Sequence, residues 1–144
     1  RIMDVCTRMD DAISLAALLV STIHMLYRLR IKNQRWREYN PMLIRENRWR
    51  AMRYSFDEGL IDFGIGSIIP FEQLLDEFIE LTFEDAKSLG CESEVAATKY
   101  ILSRGTSAHR QLKTYELSIA AGNNSEDALK DVVDMLISET AEGL

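Results

Sequence analysis

Apolar and polar positions divide the chain into helical stretches with short connections. From Ala12 to Tyr27 the run is mostly apolar, broken by Ser14, Ser21, Thr22 and His24. It reads as a helix buried on several sides, too short and too polar to span a bilayer. Thr7-Arg8-Met9-Asp10 pairs a capping hydroxyl with an acid three residues on, which predicts a helix from about Met9 to about Arg37. Asn40-Pro41 ends it, and Pro41 suits the first turn of a second helix, about Met42 to Tyr54.

Between Asp57 and Pro70, three glycines and the pairs Leu60-Ile61 and Ile68-Ile69 predict a loop with one or two brief strands. Phe71, Leu74, Leu75, Phe78, Ile79 and Phe83 are spaced as one helix face, with Gly90 as its stop. Glu92 to Ser103 predicts a further helix, closed by Gly105. Thr106 or Ser107 is the expected cap of the next, which ends at Gly122-Asn123-Asn124. Ser125 is the expected cap of the last, with Glu126 and Asp127 in a first turn that favours negative charge.

This makes about six helices in one bundle-like unit over residues 1–144. Arg1 to Cys6 alternate apolar and polar residues like a strand entered partway, so upstream sequence is expected. The fold class is therefore mainly α, with a short N-terminal strand.

Two prolines and seven glycines in 144 residues agree with long helices. Cys6 and Cys91 have no metal or disulfide spacing, and read as reduced, buried thiols of a cytoplasmic protein. Charge is uneven. Residues 1–54 hold 11 Lys/Arg against 5 Asp/Glu, and residues 55–144 hold 6 against 18. The basic first third is the place to look for an anion site.

There, Asn47, Arg50 and Tyr54 fall at i, i+3 and i+7, and Arg53 extends that face by one turn. Two guanidiniums beside an amide can clamp a phosphate or carboxylate, because arginine presents a planar fork of donors. The competing reading is a solvated basic face with Trp49 in the core. Arg110, at a helix start, has an equally divided reading: a phosphate contact, or a bridge to an acidic neighbour. His24 reads as a satisfied core histidine and His109 as a surface residue. Gly64-Ile65-Gly66 is too short for a nucleotide loop, and no arrangement predicts a covalent nucleophile.

The stretch Asn47-Arg-Trp-Arg-Ala-Met-Arg-Tyr-Ser-Phe-Asp57, followed by Leu60-Ile61-Asp62, resembles the bacterial carboxylate–amine ligases, the family called glutamate–cysteine ligase type 2. Arg1 to Thr7 with Asp10-Asp11-Ala12 resembles the family's strand-then-helix. Gly105 to Gln111, then Val132 to Leu136 and Glu139-Thr140, resemble it again.

The resemblance implies the C-terminal region of a glutamine-synthetase-like ligase that joins a carboxylate to an amine through an acyl phosphate, using ATP and Mg2+. It implies arginines on the phosphoryl oxygens. Arg50 and Arg53 match that role, Asn47 and Arg1 support substrate or ATP binding, Arg110 is a further candidate, and Asp4 orients an arginine. Two departures stand out. Ser55 and Phe56 replace the family's usual glycine and leucine, and a glycine there permits positive φ. The glutamate cluster that holds metal and ATP has no counterpart, so Mg2+ and ATP are expected mainly on an absent N-terminal part. The isolated chain is expected to be inactive. Small amino-acid or other carboxylate and amine substrates, a homo-oligomer, and no nucleic-acid or membrane partner complete the expectation.

Two rivals remain at this level. Nine Lys/Arg between residues 28 and 53, interleaved with Tyr27, Trp36, Tyr39 and Trp49, fit a nucleic-acid-binding module. The acidic remainder opposes that by repelling a polyanion. The apolar first helix fits a protein-interaction module.

Overall fold

The computed structural model describes residues 6–142. Arg1, Asp4 and the expected N-terminal strand lie outside the described residues. Seven helices and one hairpin follow in order: α1 (Met9–Ile31), α2 (Pro41–Tyr54), β1 (Leu60–Asp62), β2 (Ser67–Ile69), α3 (Phe71–Leu89), α4 (Glu92–Ala97), α5 (Lys99–Arg104), α6 (Ser107–Ala120) and α7 (Ser125–Ala141). The chain is mainly α, as its periodicity predicts.

The departures are local and have local causes. Helix α1 stops at Ile31, not near Arg37, because Asn33 takes a left-handed φ of 54°. Gln34 N–H then bonds Leu29 O at 2.9 Å and Asn33 N–H bonds Arg30 O at 3.0 Å, the two hydrogen bonds of a Schellman stop. Thr7 does not cap α1. Arg8 occupies the cap without a side-chain bond, and the Thr7 hydroxyl donates to Glu139 at 2.6 Å.

The helix expected over Glu92 to Ser103 is two helices. The buried Thr98 hydroxyl donates to Val95 O at 2.7 Å and marks the break. Asn124, not Ser125, caps α7, its side chain accepting from Asp127 N–H at 3.0 Å.

The hairpin is antiparallel, with Leu60 opposite Ile69, Ile61 opposite Ile68 and Asp62 opposite Ser67. The Asp62 carboxylate accepts from Gly64 N–H at 2.6 Å and Ile65 N–H at 3.0 Å, closing the turn. Gly59, at φ 67°, lies so close to β2 that a Cβ would sit 2.3 Å from Ile69 O.

Packing forms two helical groups. In one, α1 lies against α3 and α4; in the other, α6 lies against α7. Buried apolar side chains are few: Met25, Leu75, Ala86 and Val95 in the first group, Ala128 and Val132 in the second. Polar contacts join the groups at the start of α1: Arg8 donates to Glu142 at 2.6 Å, and the Thr7 hydroxyl accepts from Arg110 at 3.1 Å. Within one group Arg110 of α6 meets Glu139 of α7, and Arg104 of α5 pairs with Asp11 of α1. Contrary to burial on several sides, α1 buries one face only, through Asp11, Ser14, Ser21 and Met25.

Candidate functional site

Helix α2 and the hairpin form one tied unit, and its geometry begins with Asn47. The Asn47 side chain donates Nδ2–H to Ile61 O at 2.8 Å and accepts from Ile61 N–H at 2.7 Å. One amide thus replaces a neighbouring strand at the centre of β1. One turn on, Arg50 donates Nε–H to Gly59 O at 3.2 Å and Nη2–H to Glu58 O at 2.7 Å. Its guanidinium carbon stands 5.8 Å from the Tyr54 ring centroid. The spacing places Asn47, Arg50 and Tyr54 on one face, and that face meets the hairpin.

Arg53 is exposed and has no hydrogen-bond or ion-pair partner among the described residues. Arg50 and Arg53 therefore share no ligand within this chain: one guanidinium is engaged by backbone carbonyls and the other faces solvent. Trp49 is not in the core. It is 47% exposed and meets Tyr54 edge-on at 5.6 Å.

The α2–hairpin junction carries backbone strain. Ser55, directly after α2, has φ 55° and ψ −120°, a conformation that a glycine adopts without cost. Phe56 follows, with its ring 4.8 Å from the His109 imidazole. His109 is not a plain surface residue. Its Nδ1 accepts from Thr106 N–H at 3.1 Å, which leaves Nε2 to carry the proton and donate to Asp57 at 3.2 Å. That contact links the start of α6 to the α2–hairpin junction.

Two open clefts flank the hairpin. One, of about 620 Å³, lies between the hairpin and α5, with Asp57, Glu58, Glu72 and Lys99 among its polar walls. The other, of about 580 Å³, opens beside β1, with Arg37, Asn47, Asp62 and Glu77 among its polar walls. Among the described residues no group of three or more His, Cys, Asp or Glu is arranged to hold a metal ion.

Arg110 is far from unengaged. Its Nε and Nη2 grip Glu139 at 2.5 and 3.0 Å, Nη1 donates to Gly105 O at 2.5 Å, and Nη2 also reaches the Thr7 hydroxyl at 3.1 Å. Arg110 holds the Glu139 carboxyl below the usual carboxylate range; burial opposes the shift and Thr7 reinforces it. This is the bridge to an acidic neighbour.

The fully buried carboxylate of Asp85 was not singled out from the sequence. Asp85, 1% exposed, accepts from Arg28 Nε–H at 2.9 Å and Nη2–H at 2.8 Å, and stands 2.8 Å from His24 Nδ1. His24 thus has a partner, as a satisfied histidine should. The Arg28 guanidinium holds Asp85 below its ordinary pKa, against the cost of burial and with help from His24. The only sequence signal was an acid on the otherwise apolar face of α3.

A profile of the glutamate–cysteine ligase family 2 matches residues 1–135, and the chain belongs to that family. A Rhodospirillum rubrum relative named "Putative glutamate–cysteine ligase 2" is 52% identical over all 144 residues. Relatives of the same name from Jannaschia sp. and Paracoccus denitrificans are 48% and 42% identical over 139 residues, 96% of this chain. The chain spans only 37%, 36% and 37% of these three relatives. No solved structure matches the chain.

Proposed function

We propose that this chain is the helical C-terminal region of a cytoplasmic, glutamine-synthetase-like ligase that joins a carboxylate to an amine at the expense of ATP. What carries the reading is the family match over residues 1–135, which includes the whole arginine-bearing helix α2. ATP supplies the phosphoryl group that turns the carboxylate into an acyl phosphate. Arg53, exposed and without a partner among the described residues, is the group best able to meet an anion. Arg50 keeps Nη1 for the same charge while Nε and Nη2 hold the hairpin. Asn47 sets the height of α2 against β1, and Arg1 and Arg110 are the remaining candidates for substrate or ATP. Substrates are small amino-acid or other carboxylates and amines; nucleic acid and membrane are not partners, and the ligase works as a homo-oligomer.

The described residues do not fit Mg2+, since they offer no carboxylate cluster. No step on this chain runs through the metal, which is assigned to the rest of the ligase.

The test replaces the matching segment of the Rhodospirillum rubrum relative with residues 1–144 and follows ATP-, glutamate- and cysteine-dependent phosphate release. The joined protein should release phosphate and the isolated chain should not. Ligation by the isolated chain would overturn the division of labour. Full activity in a joined Arg53→Ala variant would remove Arg53 from the site.

A further inference from the structure

Helix α1 turns much of its apolar surface outward. The face turned into the protein carries Asp11, Ser14, Ser21 and Met25. The face turned to solvent carries Met9, Ile13, Ala16, Val20, Ile23 and Tyr27, spaced alternately four and three residues apart. That alternation makes one straight apolar seam along a helix. Ile13 is 48% exposed, Val20 49%, Ile23 57% and Tyr27 62%, and Leu19 and Leu26 flank the seam at 43% and 42%. A helix that hides serines and shows isoleucines to water gains little from the hydrophobic effect as it stands.

The whole surface has the same character. The accessible area is 10401 Å², against about 7,600 Å² for a compact monomer of this mass, an excess of roughly 2,800 Å². An excess of that size on one partner is as large as one side of the biggest obligate interfaces, which bury about 2,000 to 5,000 Å² over both partners. A single crossing of two α1 helices would cover one narrow stripe of it. The relatives supply a larger candidate, since 63% of the Rhodospirillum rubrum chain lies outside the match.

We infer that the Met9–Tyr27 seam of α1 is an obligate docking surface for the part of the full-length ligase that this chain does not include. The inference rests on the ligase reading above and adds the surface by which the two parts join. The inward face suits this role. Ser14 and Ser21 are small enough to let α1 lie close on α3 and α4, and Asp11 and Arg28 anchor it by ion pairs to Arg104 and Asp85. The helix is thereby held as a fixed rail, its apolar edge outward. Contrary to the expectation for Ala12 to Tyr27, the whole of α1, Met9–Ile31, is long and apolar enough to cross a membrane, so lipid is the occupant to be excluded. The acid-rich surface of the neighbouring α3, with Glu72, Glu77, Glu80 and Glu84, disfavours an anionic bilayer.

Val20→Cys and Ile23→Cys, introduced separately, report on the seam through their rate of reaction with N-ethylmaleimide, read by peptide mass spectrometry. The reaction is measured in the isolated chain and in the chain joined into the Rhodospirillum rubrum relative. Joining should slow both sites at least about tenfold. Equal rates in the two proteins would overturn the inference. So would slowing in the isolated chain with rising protein concentration, which would assign the seam to a second copy. Slowing by phosphatidylcholine–phosphatidylglycerol vesicles would assign it to lipid and overturn it equally. A joined protein that protects both cysteines but releases no phosphate would leave docking intact and defeat the ligase reading alone.

Discussion

Asn47 grips the backbone of Ile61 from both sides, giving one hydrogen bond to its carbonyl and taking one from its N–H. A two-stranded hairpin is marginal by itself, so its register depends on this neighbour. Asn47→Ala strands both backbone groups and should destabilise the chain by about 1–3 kcal/mol. Urea unfolding measures it. Asn47→Asp keeps the acceptor and loses the donor, so it should fall between the two. An Asn47→Ala midpoint equal to the parent's would show that the amide holds nothing.

Two backbone positions have opposite expectations. Ser55→Gly relieves a φ of 55° and should raise stability by about 1 kcal/mol, seen as a higher Tm. Gly59→Ala puts a Cβ 2.3 Å from Ile69 O and should cost about 2–4 kcal/mol, through backbone displacement that flexible side chains cannot absorb. A Ser55→Gly variant that melts lower than the parent would mean the serine makes up for its strain elsewhere.

Arg110→Ala distinguishes a fold-holding from a ligand-holding arginine. Glu139 would lose its main partner in a site where its side chain is 13% exposed. The expected cost is about 2–5 kcal/mol of stability. Thermal melting of the isolated chain, with no ligand present, is sufficient to read it. An unchanged Tm would free Arg110 for the substrate role.

The pH dependence follows from Asp85 and Glu139. Both carboxyls are held below their ordinary pKa, chiefly by Arg28 and Arg110. Each contributes stability that is fully present above the unfolded carboxylate pKa, about 4, and is lost as pH falls through the lower folded value. Urea midpoints should be level near neutrality and drop below about pH 4. Asp85→Asn should flatten part of that acid limb. A limb unchanged in this variant would show that other carboxylates carry the transition.

The candidate site was legible only in part. The i, i+3, i+7 spacing places Asn47, Arg50 and Tyr54 together because helical geometry is local, and the structure keeps them together. What Arg50 faces was not legible. Gly59 O and Glu58 O come to it through the hairpin fold, and carbonyl groups leave no trace in side-chain pattern. Arg110 and Glu139 are 29 residues apart, and Asp85 and His24 are 61 apart. Pairing at such distances depends on how helices pack, which no periodicity encodes.

Local signals alone determined most of the helices, the start of α2 at Asn40-Pro41, the stop of α3 at Gly90, and the hairpin between Gly59 and Pro70, but not the end of α1 at Asn33 or the break at Thr98. Each of the former is decided within a few residues by φ preference, capping and hydrogen bonds between near neighbours. Tertiary structure decided which side of each helix faces inward. The apolar run of α1 predicts burial on several sides, yet only one side is buried, and that side carries serines and a paired aspartate. Close packing on α3 and α4, and ion pairs to Asp85 of α3 and Arg104 of α5, chose that face, because apolar content states how much surface seeks cover and not which partner provides it.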